Sequence, residues 1–466
     1  MIIACLFIKM TSMQPKTYRK CKFIPLVFYI LFAVISYGQP KEQKKYFELE
    51  NGLKIFLYER HILPLVNVTV GVNLGSKDET EETNGLVHIL EHSILFGGTE
   101  LRSGGEIGKD IRRRGAYFNA HTDRDLITFD ISLPFEYAEF ALRNQKEILF
   151  NLKLSQKEID KEKKIILEEI AQLNDDPLKY ASSLVHQNIY KNHPYQNPIY
   201  GKKETVETAT VEQMEDFYRN YLVPSNCALA VVGEFEIEEM EKKVKKIFGE
   251  LKKEEYPSSK FEKASALKKT IEIEKEMDVN QAYLVIGMPG PDYNHPDQYA
   301  VDVLVQILGR GVNPMLGLSL RGRRSLVYSI SMGYVAQKYG GAILIYLSLD
   351  PKNLKAAKSE TIRFLKRARN ERYSKNDFLP GERLYSFDYL ECAINQIRFN
   401  FFHGRERGLS LANSLARFML LNENSRQGSY LESIEKLSSS DLRKAAGKYL
   451  SRGKYVIVSI LPKKRK

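Results

Sequence analysis

The strongest constraint on the fold lies between Gly85 and Thr99, where the chain reads GLVHILEHSILFGGT. At about 100° per residue, His88 and His92 stand one helical turn apart, and Glu91 falls between them on the same face. Two imidazoles so placed can bind one zinc ion at about 2.1 Å each, and the carboxylate then sits beside the open coordination position. A lone His on such an apolar helix reads as a satisfied core residue. The His-x-x-Glu-His triple instead reads as an inverted zinc motif, with Glu91 as general base. The fold must therefore offer a buried helix here and a third ligand from elsewhere in the chain.

The next long helical pattern supplies candidates for that ligand. Ser155 and Glu158 have capping-box spacing, so a helix is predicted to start there, with Ile159, Ile166, Ile170 and Leu173 as its apolar stripe and Asp175, Asp176 and Pro177 as its stop. Measured from Glu162, Ile166 lies at roughly 40°, Glu169 at roughly −20° and Leu173 at roughly 20°, whereas Glu168 points about 120° away. Two carboxylates thus occupy core positions. A buried carboxylate is costly without a partner, so Glu169 is assigned to the metal and Glu162 to the catalytic machinery behind the ligands or toward substrate. The alternative is a partly exposed stripe on which both are solvated. The expected complement is one Zn2+ per chain, on His88, His92 and Glu169.

The rest of the chain reads as the same unit twice. Alternating apolar residues predict strands at 53–57 and 65–74, a loop over 75–84, a helix from Gly85, and a strand region from Ala116 to Leu133. Helices follow at Phe135 to Phe150 and Ser155 to Leu173, and a strand at Cys227 to Val232. A polar stretch, 252–269, reads as a linker. Beyond it come a strand at Ala282 to Met288, a helix from Pro296 to Leu308, and strands at Val327 to Val335 and Ala342 to Leu349. The halves end alike: FYRNYLVPSNCALAVV from Phe217 and AAGKYLSRGKYVIVSI from Ala445 each give helix, Tyr-Leu, a turn and a buried strand. The predicted class is α+β, a duplicated sheet with helices on one face, with domains at 45–251 and 270–466. In the second copy, Tyr299 to Gly311 carries Asp302 and Gln306 and no His, so it cannot bind zinc the same way.

Charge and the N-terminus bound the setting. Of 466 residues, 43% are apolar and 27% charged, enough for large cores, so stability need not come from cross-links. The net charge of +12 is partly due to residues 1–38, which hold Lys9, Lys16, Arg19, Lys20 and Lys22 and no acid. Elsewhere, runs such as Lys242 to Lys246 alternate with Glu238, Glu239 and Glu241, a solvated helix face and not a nucleic-acid groove. Arg19, Lys20 and Lys22 precede the apolar run Phe23 to Tyr37, and Gly38 follows, which predicts a signal peptide over 1–38 and a secreted or periplasmic mature chain. Membrane attachment follows only if that segment stays uncleaved, and Met13 is an alternative start. Only Cys227 and Cys392 then remain, allowing at most one disulfide.

With these residues in place, 45–466 resembles the pitrilysin family of zinc metallopeptidases, which includes insulin-degrading enzyme and the mitochondrial processing peptidase. The inverted motif matches at His88, Glu91 and His92, and the family's spacing of a supporting Glu seven positions before the distal ligand selects Glu162 with Glu169. Phe96, Gly98 and Thr99, the stretch GAYFNAHT from Gly115 to Thr122, Asp175 to Pro177, and His193-Pro194 with Gly201 also match. In LRGRRSLVY, Arg321 and Tyr328 resemble the family's substrate-binding pair, with Ser325 where a Gly is usual, and 371–430 matches only loosely. The resemblance implies mainly antiparallel sheets and a zinc endopeptidase. Its substrates would be extended peptides or short unfolded segments, added as a strand along Phe118, Asn119 and Ala120 inside a chamber. Single-chain members have four half-units and this chain has two, which implies a homodimer, or a heterodimer with a related chain. The rival expectation is a non-catalytic scaffold or interaction subunit, a role some relatives take after losing zinc residues; here the full set is present.

Overall fold

The computed structural model describes residues 42–257, 260–311, 313–379, 382, 387–421 and 429–463. The expected signal peptide and its cleavage point at Gly38 lie outside the described residues.

The first half contains β1 (Gln43–Glu48), β2 (Lys54–Glu59), β3 (Leu65–Val72), β4 (Gly98–Thr99), β5 (Tyr117–Thr122), β6 (Ile127–Pro134), β7 (Leu152–Lys153) and β8 (Cys227–Gly233). Six of them form one sheet in the order β1-β2-β8-β3-β6-β5, while β4 and β7 pair separately. The second half contributes β9 (Ile271–Met277), β10 (Ala282–Gly290), β11 (Ser329–Gln337), β12 (Gly340–Leu349) and β13 (Val456–Pro462), in the order β11-β12-β10-β13-β9. Reversing that order superposes β9 on β2, β13 on β8, β10 on β3, β12 on β6 and β11 on β5. In both sheets the one parallel pair joins the matched strands, β2 with β8 and β13 with β9. The duplication is therefore present over all five strands of the second sheet, and β1 has no counterpart among the described residues. The strand at Ile271–Met277 is absent from the sequence reading, because IEIEKEM carries charges on one side and is exposed for most of its length.

The helices that matter for the site are α1 (Leu86–Phe96), α2 (Ala138–Phe150), α3 (Gln156–Asp175), α4 (Pro177–Ile189), α5 (Gln298–Val305) and α6 (Leu354–Arg367), followed by α7 (Tyr389–Glu406) and α8 (Gly408–Leu421). One face of the first sheet, with Ile55, Leu57, Val68 and Leu229, packs on α1 and α2. The matching face of the second sheet packs on α5 and α6 through Leu284, Ile286 and Ile345.

The opposite faces are closed by exchange. Helix α8, from the second half, lays Leu411, Ala412, Leu415 and Ala416 on Phe56, Ala228 and Ala230 of the first sheet. Helix α4, from the first half, lays Ala181, Val185 and Ile189 on Val285, Leu344 and Val458 of the second. Each crossing needs a strand glycine: a Cβ on Gly71 would come within 2.9 Å of Leu420, and one on Gly287 within 2.1 Å of Val185. Helices thus cover both faces of each sheet, the second face by a helix lent from the other half. Residues 252–257 and 260–269 form no helix or strand, yet Ala264 donates its N–H to the Tyr339 carbonyl at 2.8 Å and Lys263 pairs with Asp292 at 2.8 Å. Cys227 is buried and Cys392 exposed, and both are free thiols, so the disulfide open to the sequence is not formed.

Candidate metal centre

Helix α1 is anchored before its first ligand. Gly85 takes φ +109° at its N-cap, where a Cβ would press on Val206 and Gly201. The buried Glu79 carboxylate accepts from the N–H of Gly85 at 3.0 Å, the N–H of Val87 at 2.8 Å and the Asn84 amide at 2.7 Å. Burial pushes this carboxyl up to about 8, and the bonds it accepts satisfy open helix donors and fix the axis on which the two histidines ride.

His88, Glu91 and His92 are all buried on that helix. Helix α3 brings Glu169 across to them, with its Oε2 at 3.7 Å from His88 Nε2 and 3.9 Å from His92 Nε2. Glu168 is exposed on the other side of α3. Glu91 Oε2 lies 4.0 Å from His88 Nε2 and accepts a hydrogen bond from the Thr122 hydroxyl on β5. Glu162, buried about two helical turns before Glu169, meets the other edge of the His92 ring at Nδ1, 3.1 Å away. It therefore stands behind a ligand, not among the groups that would face a substrate.

These donors fit a zinc ion. One atom from each of His88, His92 and Glu169 lies within 4.8 Å of the others, and the 3.7 and 3.9 Å separations are close to the roughly 3.4 Å edge of a tetrahedron with arms of about 2.1 Å. Burial, reinforced by His92, pushes His88 down to about 3, so its ring is neutral, the form that ligates. Burial alone would lower His92 as well, but Glu162, Glu169 and Glu91 outweigh it and raise the ring, the mark of a pocket that favours a cation. Burial raises the Glu91 carboxyl, partly countered by Thr122, which suits a group that must take and return a proton. For Glu162, burial acts upward but the His92 and Lys161 contacts prevail and hold it low, as the charged partner of an imidazole.

Phe118, Asn119 and Ala120 lie on β5, an end strand of the first sheet that packs against α1. The exposed His121 is on the same strand. Arg321 and Tyr328 are exposed in the second half, Tyr328 just before the edge strand β11, and among the described residues neither side chain bonds to the His88–Glu169 cluster. Ser325 between them takes φ +52°, a left-handed conformation that favours glycine. In the second half Gln306 is buried and Asp302 half-buried, and Asp302 accepts from the Tyr430 hydroxyl at 2.9 Å, a structural contact. Two neighbours of the site escape the sequence reading as participants: Thr122, which lies in the GAYFNAHT stretch, and Tyr200, whose ring stands edge-on to His88 with centroids 4.9 Å apart. No spacing rule points to Tyr200.

Residues 55–203 match the family described as Insulinase (Peptidase family M16), and residues 208–379 match the Peptidase M16 inactive domain. The second description falls largely on the half without a His pair. The uncharacterized zinc protease YmxG of Bacillus subtilis is 28% identical over 322 residues, covering 68% of this chain and 76% of its own length. An uncharacterized zinc protease of Rickettsia felis is 24% identical over 414 residues, covering 86% of this chain and 99% of its own. The crystal structure of a protease from Helicobacter pylori shares the fold with a TM-score of 0.82 at 21% identity, covering 91% of this chain and all of that one.

Proposed function

Because the chain belongs to the pitrilysin family of zinc proteases, peptidase family M16, we propose that it is itself an active zinc-dependent endopeptidase that cleaves peptides or short unfolded segments held in extended form. The observation that carries this reading is the convergence of His88, His92 and Glu169 with Glu91 beside them and Thr122 orienting it. Zinc, when bound, supplies a Lewis acid that polarises a peptide carbonyl and acidifies a water molecule. Glu91 takes the proton of that water and delivers it to the leaving amine. Glu162 holds His92 by Nδ1 and leaves Nε2 for the ion. The free edge of β5 pairs with substrate main chain, which reads little sequence.

On the same reading, the mature chain acts after export directed by residues 1–38, and two chains enclose the chamber, as a homodimer or with a related partner. Arg321 and Tyr328 then fix substrate from the second half. A scaffold role is disfavoured by the complete donor set. The test is zinc content together with cleavage of unstructured peptides, with and without chelator, on the purified chain. Glu91→Gln should keep zinc and lose nearly all turnover, since the amide is almost isosteric but takes no proton. Cleavage by this variant at near the parental rate would remove the base assignment, and a zinc-loaded parent that cleaves nothing would favour the scaffold.

A further inference from the structure

Beside the metal centre lies an open cavity of about 700 Å³. Tyr200, edge-on to His88, and Ile170, next to Glu169 on α3, form the wall it shares with the zinc ligands. Its lining also includes Arg124, which follows Thr122 by two positions and so comes from the loop just past β5.

Arg124 is oddly placed for a structural arginine. Its Nε donates to the Tyr195 carbonyl at 3.0 Å, and among the described residues the rest of the guanidinium has no hydrogen-bond or ion-pair partner. The nearby carboxylates are engaged elsewhere. Asp123 is bonded by Arg417, and Asp125 by the Tyr195 hydroxyl and the Lys338 N–H. Arg124 is half-buried, and although Asp123 and Asp125 act on it through space, its unpaired N–H groups stay open to solvent in the cavity and to an anion that enters it. Around it, His186 donates Nδ1–H to the Ser182 carbonyl and is kept neutral by burial and by Arg124, so it supplies no counter-charge. Of the three lysines in the lining, Lys202 and Lys203 pair with Glu81 and Glu207, whereas Lys179 has no ion-pair partner among the described residues, and Glu204 is the one carboxylate of the lining.

We propose that this cavity is a subsite for a substrate carboxylate, bound by Arg124, and that it biases the site toward anionic peptides. The proposal rests on the peptidase reading and names a substrate class for it. A carboxylate reaching in from the β5 edge past Tyr200 would take the open N–H fork of Arg124 as a bidentate acceptor. It can come from an acidic side chain near the scissile bond or from the C-terminus of a short peptide.

The experiment uses the zinc-loaded Glu91→Gln chain, so that binding is read without turnover. Four fluorescein-labelled peptides of one length are titrated by anisotropy: a central Glu or Gln, each ending in a free acid or an amide. The expected result is at least about tenfold tighter binding when the recognised carboxylate is present. The Glu and Gln arms, set against the acid and amide arms, tell which source it is. Arg124→Gln should abolish the difference and leave zinc content unchanged. Lys179→Glu, an exposed change on α4 that leaves packing alone, should weaken the preferred peptide at least about threefold and its neutral match hardly at all. Equal binding of charged and neutral peptides by the parent, no binding of any of the four, or a preference that survives in both variants would overturn the proposal. Absence of cleavage by the Glu91-containing chain would instead count against the peptidase reading, with the carboxylate preference still measurable.

Discussion

Replacing Glu162 by Ala tests whether the residue behind His92 tunes the metal site. The carboxylate is 3% exposed, with one oxygen 3.1 Å from His92 Nδ1 and the other 3.0 Å from Lys161 Nζ. The Lys161 side chain is 68% exposed, so that contact is screened and contributes little. The His92 contact is buried and charge-assisted, worth about 1.5–3 kcal/mol, and it also fixes the tautomer that presents Nε2 to the ion. Its loss should weaken zinc binding roughly 10–100-fold, whereas Glu162→Gln, which still accepts from Nδ1–H, should weaken it by less than about tenfold. Competition against a chromophoric zinc chelator measures both, and thermal melts of the metal-free forms check that each variant folds. An Ala variant with zinc affinity within about twofold of the parent would refute the reasoning, as would a Gln variant weaker than Ala.

Glu169→Gln should lose most bound zinc while Glu168→Gln keeps it, read by metal content after dialysis; the reverse order would mean that Glu169 is not the ligand. Gly287→Ala should lower stability by about 1–3 kcal/mol, because the new methyl meets Val185 at 2.1 Å, and an unchanged urea midpoint would contradict the tight crossing of α4. Ser325→Gly should raise stability by roughly 0.5–1 kcal/mol by relieving the φ +52° backbone, and a drop in the midpoint would contradict that strain.

What the sequence reveals of this site follows from periodicity. His88, Glu91 and His92 share one helical face by spacing alone, and the same arithmetic separates Glu169 from Glu168 because both sit deep inside one regular helix. The repeated helix–turn–strand endings expose the duplication for the same reason. Contacts between elements leave no such trace. Tyr200 reaches His88 from a loop, and Glu79 caps α1 from eight residues ahead of Val87, so neither is tied to the site by a period. The apolar pattern of α8 declares a buried helix without saying which sheet receives it. Only the small residues at the contact, Ala412 and Ala416 against Ala228 and Ala230, record the choice. The strand Ile271–Met277 is hidden because its pattern is half charged.

The reciprocal loan of α4 and α8 works like clasped hands. Severing the connector around 252–269 would leave two fragments, each with an uncovered apolar sheet face that only the other fragment's helix fits, so they should stay associated after cleavage. It also restricts motion. Swinging one half away from the other would pull Val185 and Ile189 off one sheet and Leu411 and Leu415 off the other at the same moment, stripping four large apolar contacts at roughly 1.5–3 kcal/mol each. The two halves therefore move as one unit, and any motion that opens the chain has its hinge elsewhere than between them.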